Sequence, residues 1–271
     1  MFWKKKEAVA PWARWSLVAA FAAALVLNGL AASTTLLGGM MTGQVSDAYP
    51  NLFAPAGATF AIWSVIYLLL IGFTAYVFGL GRPKKSALKD APLAKVVQLL
   101  TINVLLNGVW ILAWQYQVIW LSMLLIIAIL VTLVLITNEL RDAPLKGREY
   151  VLAKLPFSVY FGWITVATIA NITTWLVSID WNGFGVRDGV WMIAVLLIGA
   201  AIALFTANRN RDWAYLAVVV WAFAGILVKH LSPGGFDGDY PSVIVTLGIL
   251  LSVMVMSTLL LARKWWAEIK N

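Results

Sequence analysis

The chain contains no cysteine, a single histidine and few charged residues. Without cysteine, the protein can form neither a disulfide framework nor a thiolate metal site. A metal site needs several converging ligands. Because His230 is the single histidine, we expect no histidine-based metal site. Charged residues make up 12% of the 271 residues and hydrophobic residues 62%, whereas soluble domains carry about 25% charge. So little polar surface cannot cover a water-facing exterior, and lipid must therefore be the main solvent.

The net charge of +8 does not indicate a nucleic acid partner. A nucleic-acid-binding domain clusters its basic residues on one face. Here they fall in short loops between apolar runs and form no such face. We therefore expect an integral membrane protein whose partner is the lipid bilayer, with no nucleic acid partner.

Eight apolar runs are long enough, or nearly so, to cross a membrane, which takes about 20 residues for roughly 30 Å of hydrocarbon. The sequence therefore predicts an all-α, polytopic membrane bundle of about eight transmembrane helices. The third and fourth runs are joined by a very tight turn near Gln115–Tyr116. The predicted spans are Trp15–Leu37, Ala58–Leu80, Leu93–Trp114, Gln117–Asn138, Tyr150–Ser178, Gly189–Asn208, Trp213–Leu231 and Pro241–Ala262.

The distribution of basic residues predicts the orientation. Cytoplasmic loops of membrane proteins carry an excess of Lys and Arg. With the N-terminus inside, eighteen of the 20 basic residues lie in inner segments, and only Arg187 and Lys229 lie in outer ones. The sequence therefore predicts a cytoplasmic N-terminal segment (1–14) and a cytoplasmic tail (263–271). We expect the membrane to be a bacterial cytoplasmic membrane.

Aromatic and amide side chains recur at helical spacing in three of the first five spans. Phe60, Trp63 and Tyr67 share one face of the second span by their i, i+3, i+7 spacing. Two explanations stay open for the amides: they hydrogen-bond neighbouring helices, or they orient a ligand in an aromatic pocket. The other residues of this pattern are Asn28 in the first span, Asn103, Asn107, Trp110 and Trp114 in the third, and Tyr160, Trp163, Asn171 and Trp175 in the fifth.

Three motifs within these spans carry a resemblance to a known family. They are the run Pro55–Tyr67 continuing to Gly72 and Tyr76, the run Leu106–Trp110, and the run Leu155–Trp163 followed by Asn171 and Trp175. In this order they resemble the TspO/MBR family, which includes the tryptophan-rich sensory proteins and the translocator protein. Residues 15–178 have about the length of the five-helix family core. By this resemblance the chain is an extended, divergent member, with three additional transmembrane helices at 189–262.

The resemblance implies a membrane protein that binds or senses flat hydrophobic ligands such as porphyrins. The pocket would lie within the five-helix core, under a lid formed by Gly38–Gly57. We expect the three additional helices to pack beside the core without lining this pocket, although Trp221 is expected to face inward. The ligand-binding residues predicted in this way are Phe60, Trp63, Tyr67, Asn107, Trp110, Tyr160, Trp163, Asn171 and Trp175.

Other functions and assemblies stay open in the sequence. The alternative is a secondary transporter of a small hydrophobic or amphipathic molecule, but Asp and Glu lie only in loops or at span ends, which argues against a carboxylate relay. We expect no enzyme, because no acid–base pair or nucleophile is evident. Lys229 and His230 end the seventh span. A pairing with Asp237 and Asp239 in the next loop stays open, as does a role in a proton relay. The sequence also leaves open whether the protein forms a homodimer.

Overall fold

A computed structural model describes residues 9–270, with side chains as far as Glu268. Lys4–Lys6, which contribute to the predicted orientation, lie outside the described residues, as does Asn271. A 3-10 helix occupies Gly57–Ala61, and a π-helical turn occupies Tyr150–Lys154. The α-helices are α1 (Pro11–Ser33), α2 (Thr42–Asp47), α3 (Ile62–Val77), α4 (Asp90–Gln115), α5 (Ile119–Leu140), α6 (Gly147–Glu149), α7 (Leu155–Ser178), α8 (Asp188–Asn210), α9 (Trp213–Leu231) and α10 (Pro241–Lys270).

Within residues 9–270, eight helical segments are long and apolar enough to cross a membrane, which confirms the predicted fold class and number of spans. Most boundaries differ from the prediction by one to four residues, and the end of the last span differs by more. The first span ends at Ser33, before Leu37, because Thr34 adopts an extended backbone. The last span continues to Lys270, so the predicted tail from residue 263 is largely helical.

The tight turn between the third and fourth spans is confirmed, since α4 ends at Gln115 and α5 begins at Ile119. Gln117 has a positive φ of 56°. The Val118 amide then donates a 2.8 Å hydrogen bond to the Ala113 carbonyl. This bond closes the chain on itself and makes α4 and α5 antiparallel neighbours, which pack along their lengths.

The fifth span starts irregularly. Its first residues form α6 and the π-helical turn Tyr150–Lys154, and the regular helix α7 begins only at Leu155. Pro156 explains the break, because proline has no amide hydrogen and its ring clashes with the preceding turn of a helix. A π-helical turn relieves such a clash by widening the backbone locally.

Helix α7 lies at the centre of the bundle and is its most buried span. It packs against α3 and α5 on one side and against α9 on the other, while α1 packs on α4, and α10 on α8 and α9. Gly162 allows α9 to approach closely, because a Cβ atom there would lie 2.6 Å from the Tyr215 carbonyl oxygen. Small residues at helix contacts are typical of membrane bundles, where close packing replaces the hydrophobic effect.

The loops gather at the two ends of the bundle in the alternation that eight crossings require. At one end, Lys146 Nζ donates a 2.8 Å hydrogen bond to the Glu268 carbonyl, and Arg141 Nε donates one of 3.2 Å to Asn210. At the other end, Tyr49 donates a 3.2 Å hydrogen bond to Gln117. We call the end formed by loops 78–89, 141–146 and 211–212 the cationic end. That this end faces the cytoplasm stays a prediction.

Reporter fusions test the orientation. A reporter protein that is active only in the cytoplasm should be active when it is fused after Lys85 or Arg148, because the surrounding segments carry many of the basic residues that stay inside. A reporter that is active only outside the cytoplasm should be inactive at the same positions. Fusions after Gly43 or Asp237 should be active only as external reporters. An external signal at Lys85 would reverse the proposed orientation.

Substitution of Gly162 tests the close contact of α7 with α9. The Gly162→Ala variant should lose roughly 1–3 kcal/mol of stability through overpacking, seen as a lower midpoint of thermal unfolding in detergent. Gly248→Ala is the matched control, because its Cβ would meet nothing within 4 Å. Equal midpoints for the two variants would show that α7 and α9 do not pack as described.

Candidate functional site

Trp63 is the hub of an aromatic cluster inside the first five spans. Its indole stacks on the Tyr67 ring with centroids 5.5 Å apart. Its ring centroid lies 6.0 Å from that of Trp110. Tyr160 and Trp163 meet it edge-on at 5.9 and 6.2 Å. These are the offset and T-shaped arrangements that aromatic rings prefer, so three spans converge on one side chain.

A small cavity lies next to this cluster. It encloses about 40 Å³, and its lining is almost entirely apolar. The lining residues come from the loop before α3, from α2, and from the second, third and fifth spans. They are Thr42, Ser46, Ala54, Pro55, Phe60, Trp63, Trp110, Trp114, Trp163, Val166, Ala167, Ala170, Asn171 and Thr174.

Buried amides surround the cluster and join the helices. Asn28 Nδ2 donates a 2.9 Å hydrogen bond to Asn107 Oδ1, and Asn107 in turn donates one of 3.2 Å to the Tyr160 hydroxyl. Asn171 Oδ1 accepts hydrogen bonds from Trp110 Nε1 at 3.3 Å and from Ser122 Oγ at 2.7 Å. Of the two explanations left open by the sequence, hydrogen bonds to neighbouring helices therefore apply to Asn28, Asn107 and Asn171. Asn171 also lines the cavity, so both explanations apply to it.

Two polar atoms of the cluster have no hydrogen-bond partner among the described residues. They are the indole Nε1 of Trp163 and the hydroxyl of Tyr67, and both atoms are buried. A buried donor without a partner costs about 1–3 kcal/mol, and most buried polar groups in native proteins are satisfied. These two donors are therefore available for an acceptor that is not part of the chain.

The 34–56 loop, the segment between α1 and the 3-10 helix, covers the cavity. Helix α4 holds it from one side: Trp114 Nε1 donates a 3.2 Å hydrogen bond to the Thr42 carbonyl, and Gln115 Nε2 donates one of 2.6 Å to the Met40 carbonyl. Gly38 has φ +68°, and a Cβ atom there would lie 1.9 Å from the Gln115 carbonyl oxygen. Only glycine fits this contact, which seats the loop on the end of α4.

Helix α9 holds the same loop from the other side. Lys229 Nζ lies 3.2 Å from Asp47 Oδ1, and His230 Nε2 donates a 3.0 Å hydrogen bond to the Leu52 carbonyl. The Ala56 amide donates one of 3.0 Å to the Gly225 carbonyl. Among the described residues, Asp237 and Asp239 form no ion pair with Lys229 or His230, because Lys229 pairs with Asp47 and the His230 ring bonds to the Leu52 carbonyl.

The last three spans contribute no lining residue to the cavity, as expected for helices that pack beside the core. Trp221 corrects one detail. It does not face inward: its side chain is 47% exposed, and its Nε1 donates a 3.1 Å hydrogen bond to the Thr59 carbonyl. The additional helices therefore act on the site from outside, by holding the segment that precedes α3.

The structure brings together eight of the nine predicted site residues. Five of them line the cavity: Phe60, Trp63, Trp110, Trp163 and Asn171. The other three do not line it but contact the cluster: Tyr67 and Tyr160 contact the Trp63 ring, and Asn107 bonds to Tyr160. Trp175 is half-buried and is not a lining residue.

Sequence analysis missed several lining residues. Trp114 could have been included, since it shares the helical face of Asn107 and Trp110. Thr42, Ser46 and Ala54 carried no such signal, because they lie on the short helix α2 and in the loop after it, outside the apolar spans, and their positions depend on tertiary contacts.

Two buried acidic residues lie at the cationic end, and sequence analysis overlooked their burial. Glu149 accepts a 2.8 Å hydrogen bond from the Tyr76 hydroxyl and one of 2.6 Å from Ser86. Asp212 caps α9 by accepting a 3.0 Å bond from the Tyr215 amide, and Ser158 donates to its other oxygen at 2.6 Å. Burial raises the pKa of the Asp212 carboxyl. Both carboxyls tie loops and helix ends together at the cationic end, opposite the end that carries the 34–56 loop.

A family model described as a TSPO-like protein matches residues 14–260. The match does not stop after the fifth span but includes the last three helices. Comparisons with curated proteins and with solved structures found no match.

Proposed function

Since the chain belongs to the TSPO-like protein family, we propose that its aromatic cavity binds a flat, hydrophobic small molecule such as a porphyrin. The observation that carries this proposal is the cluster around Trp63, in which four aromatic rings meet one indole beside a cavity with an apolar lining. Planar conjugated molecules stack on such rings in the same offset geometry that the rings adopt among themselves.

The unpartnered donors give the ligand a second feature. Trp163 Nε1 and the Tyr67 hydroxyl can each donate a hydrogen bond, and both belong to rings in contact with Trp63. A ligand that carries an acceptor, such as a carboxylate or a ring nitrogen, would satisfy them. A few placed polar groups in an apolar pocket are the usual source of ligand orientation. The proposed ligand is therefore flat and apolar with at least one acceptor at its edge.

The present cavity is closed against such a ligand. Its volume of about 40 Å³ is well below the roughly 300–1,000 Å³ of ordinary small-molecule sites. Binding must therefore separate the aromatic rings from the 34–56 loop. This loop is the part that can move at least cost, because a few individual hydrogen bonds and the Lys229–Asp47 ion pair hold it to α4 and α9, whereas the spans are packed along their lengths.

Tryptophan fluorescence, with protoporphyrin as the probe, tests whether the aromatic cavity binds a porphyrin. Quenching by bound porphyrin should saturate, and Trp63→Leu should weaken binding about two- to tenfold, since an aromatic contact contributes about 0.5–1.5 kcal/mol beyond burial. Trp120→Leu is the matched control, because Trp120 is 56% exposed on the outside of the bundle. Quenching that does not saturate, and that is identical in both variants, would show only partition into the detergent or lipid.

A substitution of Trp175 distinguishes the site predicted from the sequence, which includes this residue, from the cavity seen in the structure, which does not. If the cavity is the site, Trp175→Leu should bind protoporphyrin within about twofold of the unaltered chain, because Trp175 does not line it. A loss as large as that of Trp63→Leu would extend the site beyond the cavity lining, by one helical turn from Asn171 to Trp175. The same titration gives this result without a further assay.

Locking the 34–56 loop tests whether it must open. The chain has no cysteine, so Asp47→Cys with Lys229→Cys introduces the only two thiols, at positions whose side chains meet in the structure. A short bis-maleimide that bridges them should abolish or greatly slow porphyrin binding. The same variant blocked at each thiol with a monofunctional maleimide is the control. Unchanged binding by the bridged protein would show that the ligand enters without displacement of this loop.

A further inference from the structure

A second pocket lies at the cationic end, remote from the aromatic cavity. It is open to solvent and has a volume of about 500 Å³. The loop after α3 forms one wall, and the start of the fifth span forms the other. Its lining residues are Gly81, Arg82, Pro83, Lys146, Arg148 and Glu149.

Two of its three cations have no acidic partner. Among the described residues, Arg148 makes no ion pair and no side-chain hydrogen bond, and Lys146 Nζ contacts only the Glu268 backbone carbonyl. Arg82 differs, since its Nη2 pairs with Asp90 at 2.9 Å. Its Nε is nevertheless buried without a partner. The pocket therefore offers donors and positive charge that the protein itself does not use.

Glu149 is the one carboxylate in the lining, and its oxygens are already occupied. Oε1 accepts hydrogen bonds from Tyr76 and Ser86, and Oε2 accepts one of 3.2 Å from the Ala87 amide. These three donors hold the loop after α3 against the fifth span and stabilise the carboxylate charge. Glu149 is thus part of the pocket wall. Its oxygens bond to Tyr76, Ser86 and Ala87, and it forms no ion pair with Arg148 or Lys146 among the described residues.

On both walls of the pocket, the residues next to the lining residues in sequence include exposed apolar side chains. Phe78 and Leu80 precede Gly81 and are 38% and 68% exposed, and Val151 follows Glu149 and is 46% exposed. Trp15, which is 63% exposed, contacts the edge of Phe78 with ring centroids 5.3 Å apart. These residues lie at the ends of spans and face outward from the bundle, so lipid acyl chains can cover them. A basic pocket that continues into such a surface matches a molecule with a phosphate at one end and hydrocarbon at the other.

We propose that this pocket binds the headgroup of an anionic phospholipid. Arg148 and Lys146 contact the phosphate, Arg82 Nε donates to it from the wall, and the acyl chains lie along Phe78, Leu80 and Val151. Basic pockets at the cytoplasmic side of membrane helices recognise anionic headgroups in this way. The apolar surface favours a lipid over free phosphate, which would leave that surface without a partner.

Thermal unfolding of the full chain in detergent tests the proposal with three additives: phosphatidylglycerol, phosphatidylcholine and inorganic phosphate. Phosphatidylglycerol should raise the unfolding midpoint saturably, and the other two should not. Lys146→Gln with Arg148→Gln should need roughly 25-fold more phosphatidylglycerol for the same shift, at about 1 kcal/mol per basic residue. Arg263→Gln with Lys264→Gln is the matched control, because it removes the same charge from exposed positions at the same end.

An equal loss in the control pair would overturn the proposal in favour of diffuse attraction between charges. An equal effect of inorganic phosphate would overturn it in favour of a free anion site. A second measurement on the unaltered chain needs no variant to fold: phosphatidylglycerol with a photoreactive acyl chain should label peptides that contain 78–83 and 147–152 in preference to 241–262. Labelling spread evenly over the exposed spans would contradict a specific lipid site.

Discussion

The cost of an unpaired polar group in hydrocarbon is the constraint on which the first five spans depend. A polar side chain inside a membrane must find its partner within the protein, since lipid offers none. Asn28 finds Asn107, Asn103 donates to Thr132, and Asn171 accepts from Ser122. Each bond joins two different spans, so the amides fix which helices are neighbours and how they are rotated. The aromatic rings between them are then placed by the same rotations.

Hydrogen bonds to the buried amides orient part of the aromatic cluster. Trp110 Nε1 donates to Asn171, and the Tyr160 hydroxyl accepts from Asn107, so two of the rings that meet Trp63 are oriented by amides. Trp163 and Tyr67 contact Trp63 through their rings, and their polar atoms have no partner in the part of the chain that the structure describes. The site thus combines satisfied groups that provide rigidity with two unsatisfied donors. Such a combination is expected where a ligand completes the hydrogen bonding.

The last three spans acquire a structural role through the 34–56 loop. Helix α9 lies against α7 and reaches the loop through Gly225, Lys229 and His230. A five-helix bundle alone would leave this side of the loop without these contacts. The match of the family model through residue 260 is consistent with eight helices that form one unit. The cavity is lined by the second, third and fifth spans and by the 34–56 loop, and this loop is held in part by the seventh span.

The number of spans, the all-α class and the faces of Phe60, Trp63, Asn107 and Trp110 could be read from the sequence. Length and hydropathy decide whether a segment can cross a bilayer, and helical periodicity decides which residues share a face, without reference to any other segment.

Tertiary contacts decided the rest. Trp175 and Trp221 are aromatic residues in spans, as Trp63 is, but whether such a ring meets a cavity depends on the helix beside it. The partners of Lys229 and His230 lie in a loop about 180 residues earlier in the chain, a pairing that local charge patterns do not contain. The closure of the cavity depends likewise on Gly38 and Gly225 meeting distant backbone, because only the assembled bundle brings those atoms together.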